Sequence, residues 1–496
     1  MKKGSFSIFF LFVRCLLVAG ILSFTHCQSP VFENPCDTRS NDFLKILFLR
    51  AAAKDASSLC GTKVRPFHFP EILSFFVTSP KVSGTIDGEN INVVVSFSNV
   101  SSLVMSFVHE GEVVLVDGVV QVSGVTSNDF TVTRTYTVIG GDGLQKNYTV
   151  TVVQLNPPSL TATRVYGQAG NFTSSNISTT ADGLHSPFKP ALDSSGLYVA
   201  DQENNRVLFY PGTSTTATRV YGQGGNFTTA NTGSVTDNTF YGVPGANVPD
   251  IAVDATGVYV SDIYGSRVLF FPGTSTTATR VYGQNGNFTT VNVGAGADGL
   301  ANPEGIVTDS TGVYIVDTFN NRILFYPGTS TTATRVYGQS GSFTSNTSNN
   351  GGISADSLDN PRGICINEDG VYVADTNNSR VLFYPGISTT ATRVYGQNGN
   401  FTTNVVGTTA STLSNPWFVS CYAGNVYISD RGNHRILGYE GNATIATRVW
   451  GQNGSFTGNA AGLSDKELND PYGMDIDRTG LYVADGGNNR VLFFPR

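Results

Sequence analysis

Charge is scarce in this chain. Only 14% of its 496 residues are Asp, Glu, Lys or Arg, and the formal net charge is −7. No basic patch is available for a phosphate backbone, which argues against nucleic acid as a partner. Histidine is scarcer still: five in all, with only His185 and His434 beyond residue 157. A zinc ion is held by at least three protein ligands, so a histidine-held zinc has little support. The chain contains no G-x-S-x-G, no phosphate-binding glycine loop and no H-E-x-x-H. Beyond the N-terminal apolar stretch, no run is long enough to cross a membrane as a helix. Gly, Thr, Ser and Asn stand in for charge as the solvating residues.

What the sequence does have is repetition. The tripeptide Y-G-Q, or W-G-Q in the last copy, begins at Tyr166, Tyr221, Tyr282, Tyr337, Tyr395 and Trp450. In step with it runs D-x-x-x-x-R, at Asp201/Arg206, Asp262/Arg267, Asp317/Arg322, Asp375/Arg380, Asp430/Arg435 and Asp485/Arg490. A long, regular period means that each repeat is one supersecondary unit that buries its apolar face only against its copies. Within residues 303–339 three short runs, GIVTD, GVYIVD and RILFYP, are rich in Val, Ile, Phe and Tyr, and ATRVYGQ follows the turn PGTSTT. Four strands per repeat describe an antiparallel blade, and six blades arranged radially make a β-propeller. The ends of the repeat region complement each other. It opens with a lone fourth-strand sequence, Thr161 to Gln168, and stops at RVLFFPR, a third strand with no fourth. The first strand is therefore expected to complete the last blade.

The pattern P-x-G-I-x-x-D-x-x-G-V-Y-V-x-D-x-x-x-N-R-V resembles the NHL repeat, best at residues 303–325, 361–383 and 471–493. Blade five departs from it, with Gly438 and Glu440 in place of an aromatic and a proline. The resemblance implies a six-bladed propeller over residues 157–496. It also brings two precedents for chemistry. One is an amidating lyase whose zinc is held by several histidines, which this chain lacks. The other is a lactonase whose calcium is ringed by Glu, Asp and Asn, for which Glu304, Asp250 and Asp475 are a thin set.

The expected fold class is all-β: a signal and tether, a small β-sandwich, then the propeller. Residues 1–27 read as an export signal, with Lys2 and Lys3 before an apolar stretch from Phe6 to Leu22. Cys27 at its end is a lipidation candidate, and the residues before it resemble the relaxed lipobox of spirochaete lipoproteins. Residues 28–65 form a tether with one short helix, which a Cys36–Cys60 disulfide would close in an exported protein. Residues 66–156 alternate in runs such as NINVVVSF and FTVTRTYTV, which suits an immunoglobulin- or cadherin-like sandwich. Asn156-Pro157-Pro158 is a stiff linker. Cys365 and Cys421 fall on first strands of adjacent blades, one residue out of register. Opposite faces of the pleat follow, which points to two buried thiols.

Residues present in every blade serve the blade, so the repeated Asp and Arg read as architecture. The N-F-T triplets at Asn171, Asn226, Asn287 and Asn400 read likewise. Variation gathers instead in the loops between Y-G-Q and the next first strand, and binding surfaces commonly sit on such loops. At the mouth of the first strands the aligned residues are Phe188, Pro249, Glu304, Arg362, Trp417 and Tyr472. Three aromatics with one acid and one base suit stacking on a sugar or peptide. The expectation is a non-enzymatic surface binding or adhesion protein. It would be lipid-anchored and outward-facing at an outer membrane or cell surface, need no cofactor, and take a protein or glycan ligand. The alternative is a calcium-dependent hydrolase or lyase centred on the channel.

Overall fold

The computed structural model describes residues 45–47, 49, 50, 60 and 70–496, except 142, 231–234, 243–247 and 249. Cys27, Cys36, the export signal and Pro249 lie outside the described residues. In the tether, residues 45–47, 49 and 50 are helical.

Residues 70–154 fold into nine strands: β1 (Glu71–Thr78), β2 (Lys81–Asp87), β3 (Asn90–Val95), β4 (Leu103–Glu110), β5 (Val113–Val116), β6 (Val119–Val120), β7 (Ser127–Asn128), β8 (Arg134–Ile139) and β9 (Gln145–Gln154). They make one continuous sheet in the order β6-β5-β8-β9-β3-β2-β1-β4-β7, in which β3 and β9 run parallel. Strict alternation drives it. Ile91, Val93 and Val95 are buried while Asn90, Asn92 and Val94 face outward. The inward residues, among them Phe75, Met105, Phe107, Tyr136 and Val150, share a single core. The sandwich expected here therefore takes the form of one curled sheet.

The propeller follows as six four-stranded antiparallel sheets. In the third blade the strands are Pro303–Asp309, Gly312–Asp317, Arg322–Pro327 and Arg335–Tyr337. Every residue of each second strand is buried, because neighbouring blades cover both faces of the sheet. That explains the unbroken apolar spelling G-V-Y-V in place of alternation. The ring closes as its ends predict. Arg164–Tyr166 pairs antiparallel with Arg490–Pro495 in the sixth blade, Val165 opposite Leu492.

The curled sheet docks on the propeller through the hairpin turns of blades four and five. The backbone N–H of Lys81 donates to the Asp369 carboxylate at 3.0 Å, and the Ser83 hydroxyl donates to Glu368. The Ser98 hydroxyl donates to Glu440 at 2.7 Å, and Asn425 donates to the Ser96 carbonyl at 2.9 Å. Pro80 and Phe97 lie against Gly424. Glu368, Asp369, Gly424 and Glu440 stand where the repeat is broken, so these departures are docking residues. Gly438 has a separate cause. A β-carbon there would come within 2.8 Å of the Trp450 indole, so the loss of the aromatic on the third strand makes room for the larger ring on the fourth. The Trp450 indole N–H then donates to the Ser159 carbonyl at 2.8 Å, and Arg496 donates to the Asn156 carbonyl. The linker is thus pinned at both sides.

One expectation is overturned. Cys365 and Cys421 are not free thiols; they form a disulfide, with α-carbons 6.1 Å apart. The one-residue offset does place them on opposite faces of their own sheets. In a radial array, however, opposite faces of adjacent sheets are the ones that look at each other. The offset therefore brings the two sulfurs together, and the bond staples blades four and five beside the channel. Peptide mapping without reductant should recover a linked pair containing Cys365 and Cys421. Replacing both by Ser should lower stability by about 2–4 kcal/mol, read from thermal unfolding; two free thiols in the untreated protein would contradict the bond.

Candidate functional site

Each blade is organised around its Asp and Arg. All twelve side chains are fully buried. In blade three, Asp317 Oδ1 accepts the backbone N–H of Ala301 at 2.6 Å. Its Oδ2 accepts Asn320 Nδ2 at 2.8 Å and Arg322 Nε at 2.7 Å. The Arg322 guanidinium donates to the carbonyls of Gly296 and Gly299 in the loop before the blade, and to Phe343 in the loop after it. One cation thus fastens two long loops to one blade. Those loops carry the N-F-T triplets, and every residue of the triplet has a structural task. Asn287 Oδ1 accepts both the N–H and the hydroxyl of Thr289, closing an Asx turn. The Phe288 ring packs on the core and its carbonyl receives Arg267. The glutamine of Y-G-Q adds a further tie: Gln339 Nε2 donates to the carbonyls of Asn321 and Thr347.

This arrangement puts the long variable loops on one face, over a scaffold held from below. The five described mouth residues meet there as one patch. Phe188 stacks on Tyr472 with ring centroids 4.7 Å apart, and Tyr472 stacks on Trp417 at 4.8 Å. Arg362 lies 4.4 Å over the Trp417 ring and donates to Glu304 Oε1 at 2.6 Å. Phe188 and Glu304 are buried, whereas Arg362, Trp417 and Tyr472 keep partial exposure. The aromatics fill the mouth of the channel by packing on each other, with the outer edges of Trp417 and Tyr472 reaching solvent. Tyr472 can lie there only because residue 486 is glycine, where a β-carbon would sit 2.1 Å from its ring.

Three residues that the first-strand alignment passes over belong to the same face. Arg431, in the loop between strands two and three of blade five, lies 4.0 Å over Trp417 and pairs with Asp470. Tyr264 and Phe319 occupy the corresponding loops of blades two and three and are 38% and 57% exposed. The signal was present inside D-x-x-x-x-R itself. Its second variable position reads Glu203, Tyr264, Phe319, Asn377, Gly432, Gly487, as unequal a set as the strand mouth.

Two of the three carboxylates toward the channel, Glu304 and Asp250 but not Asp475, are held by cations. Glu304 is held by Arg362, and Asp250 by Lys189 Nζ at 2.8 Å. Burial pushes both carboxyls above their ordinary range, while Arg362 and Lys189 pull the other way. Among the described residues no group of three or more His, Cys, Asp or Glu is gathered as a metal site. Calcium chemistry of the lactonase kind would have to displace one of these two cations first.

Residues 358–383 match the NHL repeat. The match spans the first three strands of blade four, and the same residue pattern recurs around the ring. Among solved structures, the chain is similar to a protein of unknown function from Bacteroides thetaiotaomicron, at 14% identity over 86% of this chain and 98% of that one, with a TM-score of 0.44. It is similar to a putative phosphatase from the same organism, at 12% identity over 86% and 97%, with a TM-score of 0.40. A streptogramin B lyase matches at 10% identity over 86% and 97%, with a TM-score of 0.36. Likenesses this faint say nothing about activity. No curated protein matches the chain.

The clamp yields a prediction. Changing Arg322 to Ala strands the buried Asp317 carboxylate and should cost about 3–5 kcal/mol of stability. Thermal unfolding against the wild-type chain measures it, and an unchanged midpoint would show that the pair is dispensable.

Proposed function

We propose that this is a binding protein of the cell surface whose ligand, a protein or a glycan, lies across the variable-loop face of the propeller. The observation that carries the reading is the division of labour between the two faces. The curled sheet occupies hairpin turns of blades four and five, and the variable loops lie on the other face. There the side chains that break the repeat are aromatic and basic: Tyr264, Phe319, Trp417, Tyr472, Arg362 and Arg431. Large aromatics and arginine are the residue types that dominate binding energy at interfaces. The calcium-dependent hydrolase reading is weaker, because Glu304 and Asp250 already hold cations of the chain itself.

Export and a lipid anchor on Cys27 belong to the same proposal. The Cys365–Cys421 disulfide supports it, since such bonds persist in oxidising compartments. Mass spectrometry of the N-terminal peptide from the native host should find Cys27 acylated at the new N-terminus. A peptide that runs through an unmodified Cys27 would end the lipid part of the proposal.

Binding is tested by screening the chain on glycan and host-protein arrays, then titrating variants with whatever is captured. Trp417→Ala should weaken binding about 30-fold, equivalent to about 2 kcal/mol. Phe319→Ala should weaken it with no loss of thermal stability, because its ring is exposed. Arg322→Ala should affect binding only in proportion to unfolding. If both aromatic variants bind normally, the loop face is not the binding surface.

A further inference from the structure

Below the aromatic mouth, the second halves of the first strands enclose a cavity of about 170 Å³. All its walls come from the propeller: aliphatic side chains such as Ala191, Ile251, Ala252, Ile306, Ile364 and Val419 share them with Thr308 and Ser420, and polar atoms make up the larger part of the exposed lining. The charged groups are few. Lys189 reaches the cavity but is spent on Asp250 at 2.8 Å. Asp475 also lines it, with Oδ1 accepting the N–H of its neighbour Ile476 and Oδ2 that of Leu192 in the next blade. Among the described residues Asp475 has no ion pair. Glu304 pairs with Arg362 at the mouth and Asp250 with Lys189 here, while the half-buried Asp475 shares Lys189 only at longer range. Burial drives its carboxyl up to about 6, against the opposing pull of Lys189.

The approach to this cavity is acidic as well. Asp193, Asp254 and Asp309 end the first strands of blades one to three, and Asp477 follows the first strand of blade six. Each holds its own hairpin turn by accepting backbone N–H groups. Cations accompany them: Arg164 lines one cleft with Asp193 and Asp477, Arg280 another with Asp254 and Asp309, and Arg496 donates to the carbonyls of Asp477 and Asn156.

We propose that this lower channel is a second binding site, for a small organic cation: an ammonium group on a body about as large as a benzene ring, a size that a cavity of ~150 Å³ admits. The ammonium supplies the close counter-charge that Asp475 lacks, and its body covers the aliphatic walls. A bare metal ion suits the site less well, since the described residues gather no set of three His, Cys, Asp or Glu ligands. The site lies on the opposite side of the aromatic plug from the loop face, and it does not depend on what that face binds.

The test titrates the full chain with benzylammonium and, separately, with benzyl alcohol, using calorimetry and thermal shift. Benzylammonium should bind about tenfold or more tighter than the alcohol, a difference of about 1.4 kcal/mol. Asp475→Asn should erase that preference, and Ala252→Leu, which fills the cavity with methyl groups, should abolish binding of both probes. Trp417→Ala should leave both affinities unchanged. Should Asp475→Asn fail to fold, the wild-type preference together with Ala252→Leu still decides the matter. The proposal is overturned if the two probes bind alike to the wild-type chain, if neither binds at millimolar concentration, or if Ala252→Leu binds them as the wild type does.

Discussion

One buried ion pair per blade holds this molecule in order. An Asp–Arg pair removed from water is costly, and it is tolerable only when every remaining donor and acceptor is satisfied. Here each carboxylate collects a backbone N–H and its arginine, joined in five blades by an asparagine, and each guanidinium collects carbonyls from the loops on both sides. The pair is the hub through which loops of some twenty residues become fixed surfaces. Without it, segments rich in Gly, Thr, Ser and Asn would have no apolar content to order them. The asparagine that accompanies the pair, the Asx turn and the glutamine of Y-G-Q are further supports for the same hub.

Against that constant background the departures acquire meaning. Lys189 and Asp250 stand at the channel position that is glycine in Gly305, Gly363 and Gly473, and they make an ion pair between blades one and two. Glu368, Asp369 and Glu440 replace turn residues where the curled sheet sits. Gly438 and Trp450 exchange bulk between adjacent strands, and the indole then reaches the linker. These breaks, the Gly438 exchange within blade five aside, mark places where something outside the blade touches it.

Much of this was legible in the sequence because repetition supplies its own controls. Strand number, the closing strand and the structural role of Asp and Arg follow from comparing six copies. The strand-mouth alignment brought Phe188, Glu304, Arg362, Trp417 and Tyr472 into view, and the structure places them together. What the alignment concealed was three-dimensional. Tyr264, Phe319 and Arg431 lie on the same face but come from a different loop, so no single column contains both sets. The Cys365–Cys421 bond was hidden for a related reason. Pleat parity was judged within one sheet, whereas the contact is made between two sheets facing each other. The docking of the curled sheet was equally invisible, since a few polar turn residues have no period to betray them.

The placement of that sheet has a mechanical consequence. A protein held by its N-terminal end and pulled at its far face takes load along the chain in order. The load passes first through the curled sheet, then through the bonds of Lys81, Ser83, Ser96 and Ser98 to blades four and five, and through the anchoring of Asn156 and Ser159 by Arg496 and Trp450. Only after these part does tension reach Arg164–Tyr166, the strand whose three residue pairs keep the ring closed. The strand that closes the ring is thereby placed behind a separate set of contacts.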